Sequence, residues 1–231
     1  ETHRLELTGN ESVTDFIMSV LVDDRQGVWL GLSSSGILRA VPPGKYMEYY
    51  INEEVAHEEG RMIRSLCPYD GRYLLVGTMG GIYLFDTARK NYQAFHSGFG
   101  HLFCTDIKRD RDGAFWCSTR QGLYKIQGNR VERADQTLLP GIPSETVRFS
   151  LPLSDGCILV CMDLKDLYLC QPKKGQALRL NEDFPELNRS RAMSFAIEIK
   201  PGQLIIGGQN GLFGYEIARR KLQRLAWIVP W

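Results

Sequence analysis

Histidine is scarce in this chain, and residues that could bind a metal come close together at one place in the sequence. His96 and His101 flank a short Ser-Gly-Phe-Gly segment, and Cys104 follows three residues later. A structural zinc site needs four ligands at tetrahedral spacing, and this stretch supplies no fourth ligand. We therefore interpret both histidines as solvated loop residues, and we predict no metal and no other cofactor.

The most regularly placed carboxylates are predicted to form turns rather than to act as acids or bases. Asp24, Asp70, Asp112 and Asp155 each stand shortly before a glycine. Aspartate in such a position accepts hydrogen bonds from its own turn backbone. The sequence also contains no GxGxxG, Walker A, GxSxG or HExxH motif. It therefore predicts a segment that is not an enzyme.

Glycine turns recur at a nearly constant interval and reveal an internal repeat. The glycines that precede the most apolar clusters lie at positions 27, 71, 113, 156 and 202, at intervals of 44, 42, 43 and 46 residues. A second set of turns follows the clusters, at positions 36, 81, 122, 166 and 211. Both sets give a period of about 44 residues, which is typical of β-propeller blades.

Each repeat is predicted to contain four antiparallel strands. The first, Ile17–Val22 in repeat one, leads through the glycine turn to a nearly continuous apolar strand, as expected where both faces of a sheet are covered. The fourth, such as Tyr46–Tyr50, is more polar. We therefore predict an all-β fold, a β-propeller of about five four-stranded blades. The blades are expected at about residues 13–50, 60–96, 101–135, 145–181 and 191–226.

An additional strand near the N-terminus favours a segment of a larger propeller. His3–Thr8 resembles the outer strand of a preceding blade, yet repeat five already has its own fourth strand at Leu222–Ala226. The chain begins at Glu1 rather than with methionine, so we expect a processed protein or a piece of a longer one. Residues 1–231 are predicted to form a single β-propeller domain or a partial propeller.

Composition limits the partners of this segment. Its 28 Lys and Arg against 27 Asp and Glu leave a formal net charge of +1, so no global field attracts nucleic acid. The longest apolar run, Cys157–Met162, is far shorter than the roughly 20 residues that cross a bilayer. We therefore predict neither nucleic-acid binding nor direct membrane insertion of this segment.

The cysteines and tryptophans are interpreted as core residues. The six cysteines are predicted to be buried free thiols, and the alternative is one disulfide among Cys157, Cys161 and Cys170. Trp29 and Trp116 stand at equivalent positions of the second strand. This equivalence indicates packing between blades rather than stacking on a sugar.

The sequence motif of the repeat resembles that of the two-component regulator propeller family. Residues 24–31 read Asp-Arg-Gln-Gly-Val-Trp-Leu-Gly, and residues 112–119 read Asp-Gly-Ala-Phe-Trp-Cys-Ser-Thr. Repeats two and five match the family pattern through Gly77 and Gly207. Repeat four has Cys161 and Asp166 where the pattern has glycine, so its second turn is expected to be distorted. The similarity covers about residues 13–226.

This resemblance implies a sensory role. The family is similar to the periplasmic sensor region of Bacteroides hybrid two-component histidine kinases, in which propeller arrays precede a membrane helix and a kinase and often respond to glycan fragments. It implies a periplasmic location as the extracytoplasmic part of an inner-membrane protein, an oligosaccharide ligand, and a homodimer of the full-length protein. The alternatives are a propeller glycosidase or lyase, and a protein-interaction scaffold.

Propellers bind ligands where loops converge at one end of the central channel. In this chain the loops between second and third strands, and those between blades, carry polar groups that can hydrogen-bond hydroxyls or acidic sugars. The candidate ligand-binding residues are Ser34, Arg61, His101, Asp106, Arg120, Gln121, Asp163, Lys165, Arg191, Gln209 and Asn210. Asp106 falls within a predicted innermost strand, where it contacts ligand or simply faces channel water.

Overall fold

The computed structural model of the chain describes residues 15–24, 26–41, 46–51, 58–95, 102–163, 166–189, 193–209 and 211–225. Two compact units make up the chain, residues 1–107 (unit 1) and residues 108–231 (unit 2). In both units the described regular structure is almost entirely β-strand.

Unit 1 contains two complete four-stranded sheets and most of the first strand of a third. Its strands are β1 (Ile17–Val22), β2 (Val28–Leu32), β3 (Gly36–Val41), β4 (Tyr46–Tyr50), β5 (Ile63–Pro68), β6 (Tyr73–Thr78), β7 (Gly81–Asp86), β8 (Asn91–Ala94) and β9 (Cys104–Arg109). A 3-10 helix, Glu58–Arg61, precedes β5. The strands follow chain order, β1-β2-β3-β4 and β5-β6-β7-β8.

Unit 2 begins within β9 and contains the remaining strands. They are β10 (Phe115–Thr119), β11 (Gly122–Gln127), β12 (Arg130–Arg133), β13 (Val147–Pro152), β14 (Ile158–Met162), β15 (Leu167–Gln171), β16 (Gln176–Arg179), β17 (Met193–Lys200), β18 (Gln203–Gly208), β19 (Gly211–Glu216) and β20 (Lys221–Leu225). The helical segments are α1 (Ala134–Thr137), α2 (Leu180–Asp183) and two 3-10 turns, Pro172–Lys174 and Pro185–Arg189. The sheet orders are β9-β10-β11-β12, β13-β14-β15-β16 and β17-β18-β19-β20.

The five sheets, called blades 1 to 5 in chain order, confirm the predicted all-β fold. The strands β1 and β4 begin and end at the predicted residues, and β20 is shifted by one residue from the predicted Leu222–Ala226. The second strands are the most buried, since every residue of β10 and β14 is buried. The predicted extra strand, His3–Thr8, lies outside the described residues.

A bulge in the inner strand helps to join neighbouring blades. In β1, β5, β13 and β17 the pairing with the next strand shifts between the first and third residues, as in a β-bulge that disrupts the ladder. Within unit 1, Ser19 Oγ accepts a hydrogen bond from the Leu66 amide at 3.1 Å, and Ser65 Oγ accepts one from the Ile107 amide at 3.0 Å. Each serine therefore links its own blade to the following one.

The carboxylates that hold the first hairpins are only partly those predicted. Asp70 accepts from the amides of Arg72 and Tyr73, and Asp155 accepts from the amide of Cys157, as expected. The prediction was wrong for Asp24 and Asp112.

Asp23 and Asp110 hold the hairpins of blades 1 and 3 instead. Asp23 accepts from the amide of Gly27 at 2.7 Å, and Asp110 accepts from that of Ala114 at 2.9 Å. Their second carboxylate oxygens accept from the indole Nε1 of Trp29 at 2.9 Å and of Trp116 at 2.8 Å. The aspartate directly after the inner strand therefore holds the hairpin, and not the aspartate later in the turn, because it reaches both the turn amide and the indole of the next strand.

The two tryptophans pack between blades, which confirms their interpretation as core residues. In unit 1, the ring of Trp29 lies 5.9 Å from the ring of Phe85 in blade 2. In unit 2, Trp116 shares a buried cluster with Val147 and Val160 of blade 4. A cation from the facing strand covers each indole, Arg39 over Trp29 and Lys125 over Trp116.

All six cysteines are buried free thiols, so the alternative of a disulfide among Cys157, Cys161 and Cys170 is wrong. Burial raises the pKa of Cys157 to about 11 and the pKa values of Cys161 and Cys170 to about 12. At neutral pH these side chains are uncharged and act as small apolar residues.

Candidate functional site

Five predicted ligand-binding residues occupy the same place in their own sheets, the turn between the second and third strands. Ser34 lies between β2 and β3, Arg120 and Gln121 between β10 and β11, Asp163 after β14, and Gln209 between β18 and β19. Arg61 ends the 3-10 helix before β5, and Asp106 lies in β9. His101, Lys165, Arg191 and Asn210 lie outside the described residues. The convergence of these residues on one ligand stays a prediction.

In blade 1 the predicted serine is held by a carboxylate that the sequence analysis missed. Asp15 accepts hydrogen bonds from the Ser34 amide at 2.9 Å, from Ser34 Oγ at 2.8 Å, and from Ser33 Oγ. Partial burial by itself raises the pKa of Asp15, but these hydrogen bonds outweigh it and hold the pKa well below its usual range. Ser34 therefore has a structural role in the turn.

In blades 2 and 3 a threonine closes the corresponding turn. Thr78 Oγ1 donates to the Gly81 carbonyl at 3.0 Å and accepts from the Gly80 amide at 3.0 Å. Thr119 Oγ1 donates to the Gly122 carbonyl at 2.8 Å and accepts from the Gln121 amide at 3.0 Å. This reciprocal pairing gives a physical reason for the Thr-x-x-Gly motif of the repeat.

Two further side chains hold the backbone of the blade 3 turn in place. Arg133 Nη2 donates to the Gln121 carbonyl at 2.6 Å, and Thr146 Oγ1 donates to the Arg120 carbonyl at 3.2 Å. Arg133 is itself positioned by the buried carboxylate of Asp135, 3.3 Å from its Nε. The turn is therefore a fixed backbone that presents the exposed side chains of Arg120 and Gln121.

The turn of blade 4 differs from the others where the sequence departs from the repeat. Asp166 replaces glycine, its carbonyl accepts from the Met162 amide at 2.8 Å, and its carboxylate accepts from Arg179 Nη2 at 2.9 Å. Asn181 accepts from the Leu167 amide at 2.8 Å. Asp163 remains exposed at this turn. An ion pair and an amide therefore take over the role of the threonine and glycine.

The two remaining described candidates lie nearer the inner strands. Asp106 Oδ1 accepts from Ser65 Oγ at 3.1 Å, so this carboxylate takes part in the contact between blades 2 and 3. Its roles as a ligand contact or as a group facing channel water stay predictions. Arg61 is half-buried, and its Nε is buried without a hydrogen-bond partner among the described residues.

Within the ranges described above, no three His, Cys, Asp or Glu side chains are grouped to hold a metal ion. Of the histidine-cysteine segment, only Cys104 is described; burial raises its pKa far above the usual range, so it is a neutral thiol. None of the helices in the described part of the chain is long and apolar enough to cross a membrane.

No protein-family model matches the sequence, and no curated protein matches it. Solved structures do match. The extracellular domain of a putative hybrid two-component system from B. thetaiotaomicron is 17% identical with a TM-score of 0.75, over 92% of this chain and 31% of that chain. A second such domain from the same organism is 13% identical with a TM-score of 0.74, over 90% and 29%. The chain has a β-propeller fold.

Enzymes share this fold as well. Virginiamycin B lyase from Staphylococcus aureus is 11% identical with a TM-score of 0.71, over 93% of this chain and 71% of that chain. At such identities the likeness concerns the fold alone. This chain spans about a third of the length of the two extracellular domains that it matches.

Proposed function

We propose that this chain is part of an extracytoplasmic sensory propeller of a hybrid two-component system and that it binds an oligosaccharide. The observation that carries the proposal is the match of 90% or more of the chain to two extracellular domains of putative hybrid two-component systems. The resemblance of the repeat motifs to those of the two-component regulator propeller family supports the same assignment. The proposed location is the periplasm, and the proposed partner in the full-length protein is a second copy.

The geometry of the turns supports ligand binding at the end of the blades that carries the turns between second and third strands. In blade 3 the backbone is held by Thr119, Arg133 and Thr146, while Arg120 and Gln121 present a guanidinium and an amide to solvent. A fixed backbone lowers the entropic cost of binding, because the polar groups are already positioned. Guanidinium and amide groups suit hydroxyl and carboxylate oxygens of sugars.

A sensor of this kind works by population shift. A ligand moves an equilibrium between two arrangements of a dimer only through its different affinity for each of them, and a swing from 1:99 to 99:1 needs about 5.5 kcal/mol. The proposed role of the propeller is to supply this difference. The kinase that reads the change belongs to the proposed full-length protein.

The test is binding to a panel of neutral and uronic-acid-containing oligosaccharides, measured by thermal shift and calorimetry. We expect at least one member to stabilise the chain, by about 2.7 kcal/mol at 100 times its Kd. Arg120→Ala is expected to weaken binding by about 10-fold or more, since a hydrogen bond to a charged group is lost. The matched control is Arg130→Ala, which removes an exposed arginine at the outer strand of the same blade.

Two results would count against the proposal. If no oligosaccharide raises the melting temperature, the ligand class is wrong. If Arg130→Ala weakens binding as much as Arg120→Ala does, the ligand does not bind at the turns.

A second candidate is a propeller enzyme that acts on glycans, because a lyase is among the proteins with the same fold. It predicts turnover rather than binding alone. Incubation of the chain with the same panel, followed by product analysis, separates the two functions. A protein-interaction scaffold instead predicts no response to any sugar and a specific protein partner.

A further inference from the structure

A groove lies between blades 3 and 4, at the end of the strands opposite to the turns between second and third strands. Its volume is about 280 Å³, and its lining comes from the first hairpin of each blade, from β10 and β11, and from the turn after β15. Small-molecule pockets usually measure about 300–1,000 Å³, so the size of the groove suits one small molecule. None of the described candidate ligand-binding residues lines it.

Two lysines without a carboxylate partner line this groove. Lys125 of β11 is half-buried, and its Nζ lies 5.3 Å from the centre of the Trp116 ring. Lys173 is exposed in the turn between β15 and β16. Within the described part of the chain, neither ammonium group forms an ion pair or a hydrogen bond. A partly buried positive charge is stabilised by a negative charge beside it, so the groove offers two cations to an anion.

The junction of blades 1 and 2 shows what cations at these places bind. Arg39 has the position in β3 that Lys125 has in β11, since each pairs with the tryptophan of the second strand. Glu48 lies 3.7 Å from Arg39 Nη1 and accepts a hydrogen bond from Lys90 Nζ at 2.9 Å. Lys90 lies in the turn between the third and fourth strands of blade 2. One carboxylate therefore bridges a cation of the third strand and a cation from a turn of the following blade.

The equivalent carboxylate of blade 3 does not take this bridging place. Glu132 has the position of Glu48, but its carboxylate lies 3.4 Å from Arg130 Nη2. Glu48 accepts a hydrogen bond from the hydroxyl of Tyr50. The residue at that position in blade 3 is Ala134, which has no side-chain donor. The place of the bridging carboxylate is therefore open to a ligand.

The groove also contains carboxylates, and two of them are used by their own turns. Asp110 accepts from two amides and from the indole of the second strand, and Asp155 accepts from an amide of its hairpin. Asp112 is exposed, so water and salt screen its charge. Arg111 adds a third cation, whose Nη1 donates to the Ser154 carbonyl at 3.0 Å. The unpaired charges in the partly buried region of the groove are therefore positive.

We propose that this groove binds a small molecule whose carboxylate group bridges Lys125 and Lys173. The internal carboxylate of Glu48 is the model for this contact. An acidic sugar and a simple organic acid both carry the required group, and the experiment separates these two sources. The site is distinct from the turns that carry Arg120 and Gln121, because those turns and the first hairpins lie at opposite ends of the strands.

The test is titration of the intact, isotope-labelled chain with D-glucuronate and with succinate, followed through the indole Nε1–H resonance of Trp116. D-glucose and D-glucosamine are the matched probes without a carboxylate. Trp29, whose indole has the same place in blade 1, is the internal control. We expect at least one of the acids, and neither matched probe, to shift the Trp116 resonance to saturation. A response to D-glucuronate alone indicates an acidic sugar, and a response to succinate indicates a simple organic acid.

Substitutions then locate the carboxylate. Lys125→Met keeps an apolar chain over the indole and removes the charge, so we expect it to raise the Kd about 10-fold or more. Lys173→Met is expected to do the same. Lys125→Arg, which restores the cation that blade 1 has at this position, is expected to bind as the wild type does. Lys221→Met is the matched control, because Lys221 is exposed at the start of β20 and lies outside the groove.

Three outcomes would overturn the proposal. If neither acid shifts the Trp116 resonance, or if D-glucose shifts it equally, the groove does not recognise a carboxylate. If Lys173→Met leaves the Kd where Lys221→Met leaves it, the bridging contact is wrong. Circular dichroism establishes folding, and the exposed Lys173 carries the test if Lys125→Met does not fold.

The third outcome separates this site from the proposed function. If Arg120→Ala weakens the binding of D-glucuronate and Lys125→Met does not, the acid binds at the turns between second and third strands. That result would support the proposed function and reject the groove. Binding that is lost in Lys125→Met and kept in Arg120→Ala would support the groove alone.

Discussion

A single carboxylate in blade 3 stabilises both a hairpin and a buried indole. Asp110 accepts from the amides of Asp112 and Ala114 and from Trp116 Nε1. Replacing it by alanine leaves a buried donor unpaired, so we expect Asp110→Ala to lower the free energy of unfolding by about 1–3 kcal/mol. Asp112→Ala is expected to change it by less than about 0.5 kcal/mol, since Asp112 is an exposed turn residue. Urea denaturation of the two variants is the measurement. Equal losses of unfolding free energy would contradict the assignment of Asp110, rather than Asp112, as the residue that holds the hairpin.

The spacing of this carboxylate carries a signal that the sequence analysis did not use. Aspartate stands six residues before tryptophan in blades 1 and 3. Where the second strand has leucine instead, at Leu75 and Leu159, the residue six positions earlier is Tyr69 or Leu153. The aspartate is therefore present where there is an indole N–H to accept from, and the turn alone does not require it.

A glycine with positive φ limits what the turn of blade 3 tolerates. Gly122 has φ of 128°, and a Cβ atom there would lie 2.9 Å from Asp135 Oδ2. We expect Gly122→Ala to lower the free energy of unfolding by about 1–3 kcal/mol, because the backbone is strained and the buried carboxylate is displaced. Gly71→Ala is the matched control, since a Cβ atom there meets nothing within 4 Å. Thermal melting should show a lower melting temperature for Gly122→Ala alone. A similar decrease for Gly71→Ala would contradict the explanation by backbone strain and displacement of Asp135.

The sequence was sufficient to predict the strands but not the contacts of the turns. Strand positions follow from local patterns, because apolar runs and glycine turns recur about every 44 residues. The turn contacts depend on residues far away in the chain. Asp15 lies 19 residues before Ser34, and Thr146 lies 26 residues after Arg120. A short polar motif gives no indication of such partners, so the sequence predicts a ligand-binding role for Ser34 without predicting its hydrogen bonds to Asp15.

Across the whole chain, several carboxylates are held in their charged form by specific partners. Hydrogen bonds from Tyr50 and Lys90 lower the pKa of Glu48. A hydrogen bond from Arg72 lowers the pKa of Asp86 well below its usual range, although burial opposes this. Burial also opposes the ionisation of Glu198, but hydrogen bonds from Gly202 and Ser154 outweigh it and lower its pKa. Such groups lie in both units, so each unit depends on ionised carboxylates.

These shifts predict that the protein loses stability in acid. A carboxylate whose pKa is lower in the folded state stabilises the fold above its unfolded pKa of about 4, and this stabilisation is lost as pH falls towards the folded pKa. We expect the urea midpoint of the wild type to fall between pH 7 and pH 3. Asp86→Asn should have a lower urea midpoint than the wild type at pH 7 and a smaller fall of that midpoint on acidification. The reason is that the variant already lacks the negative charge that pairs with Arg72. The exposed Glu145→Gln is the control and should follow the wild type; an equal fall for Asp86→Asn and wild type would contradict the role of this ion pair.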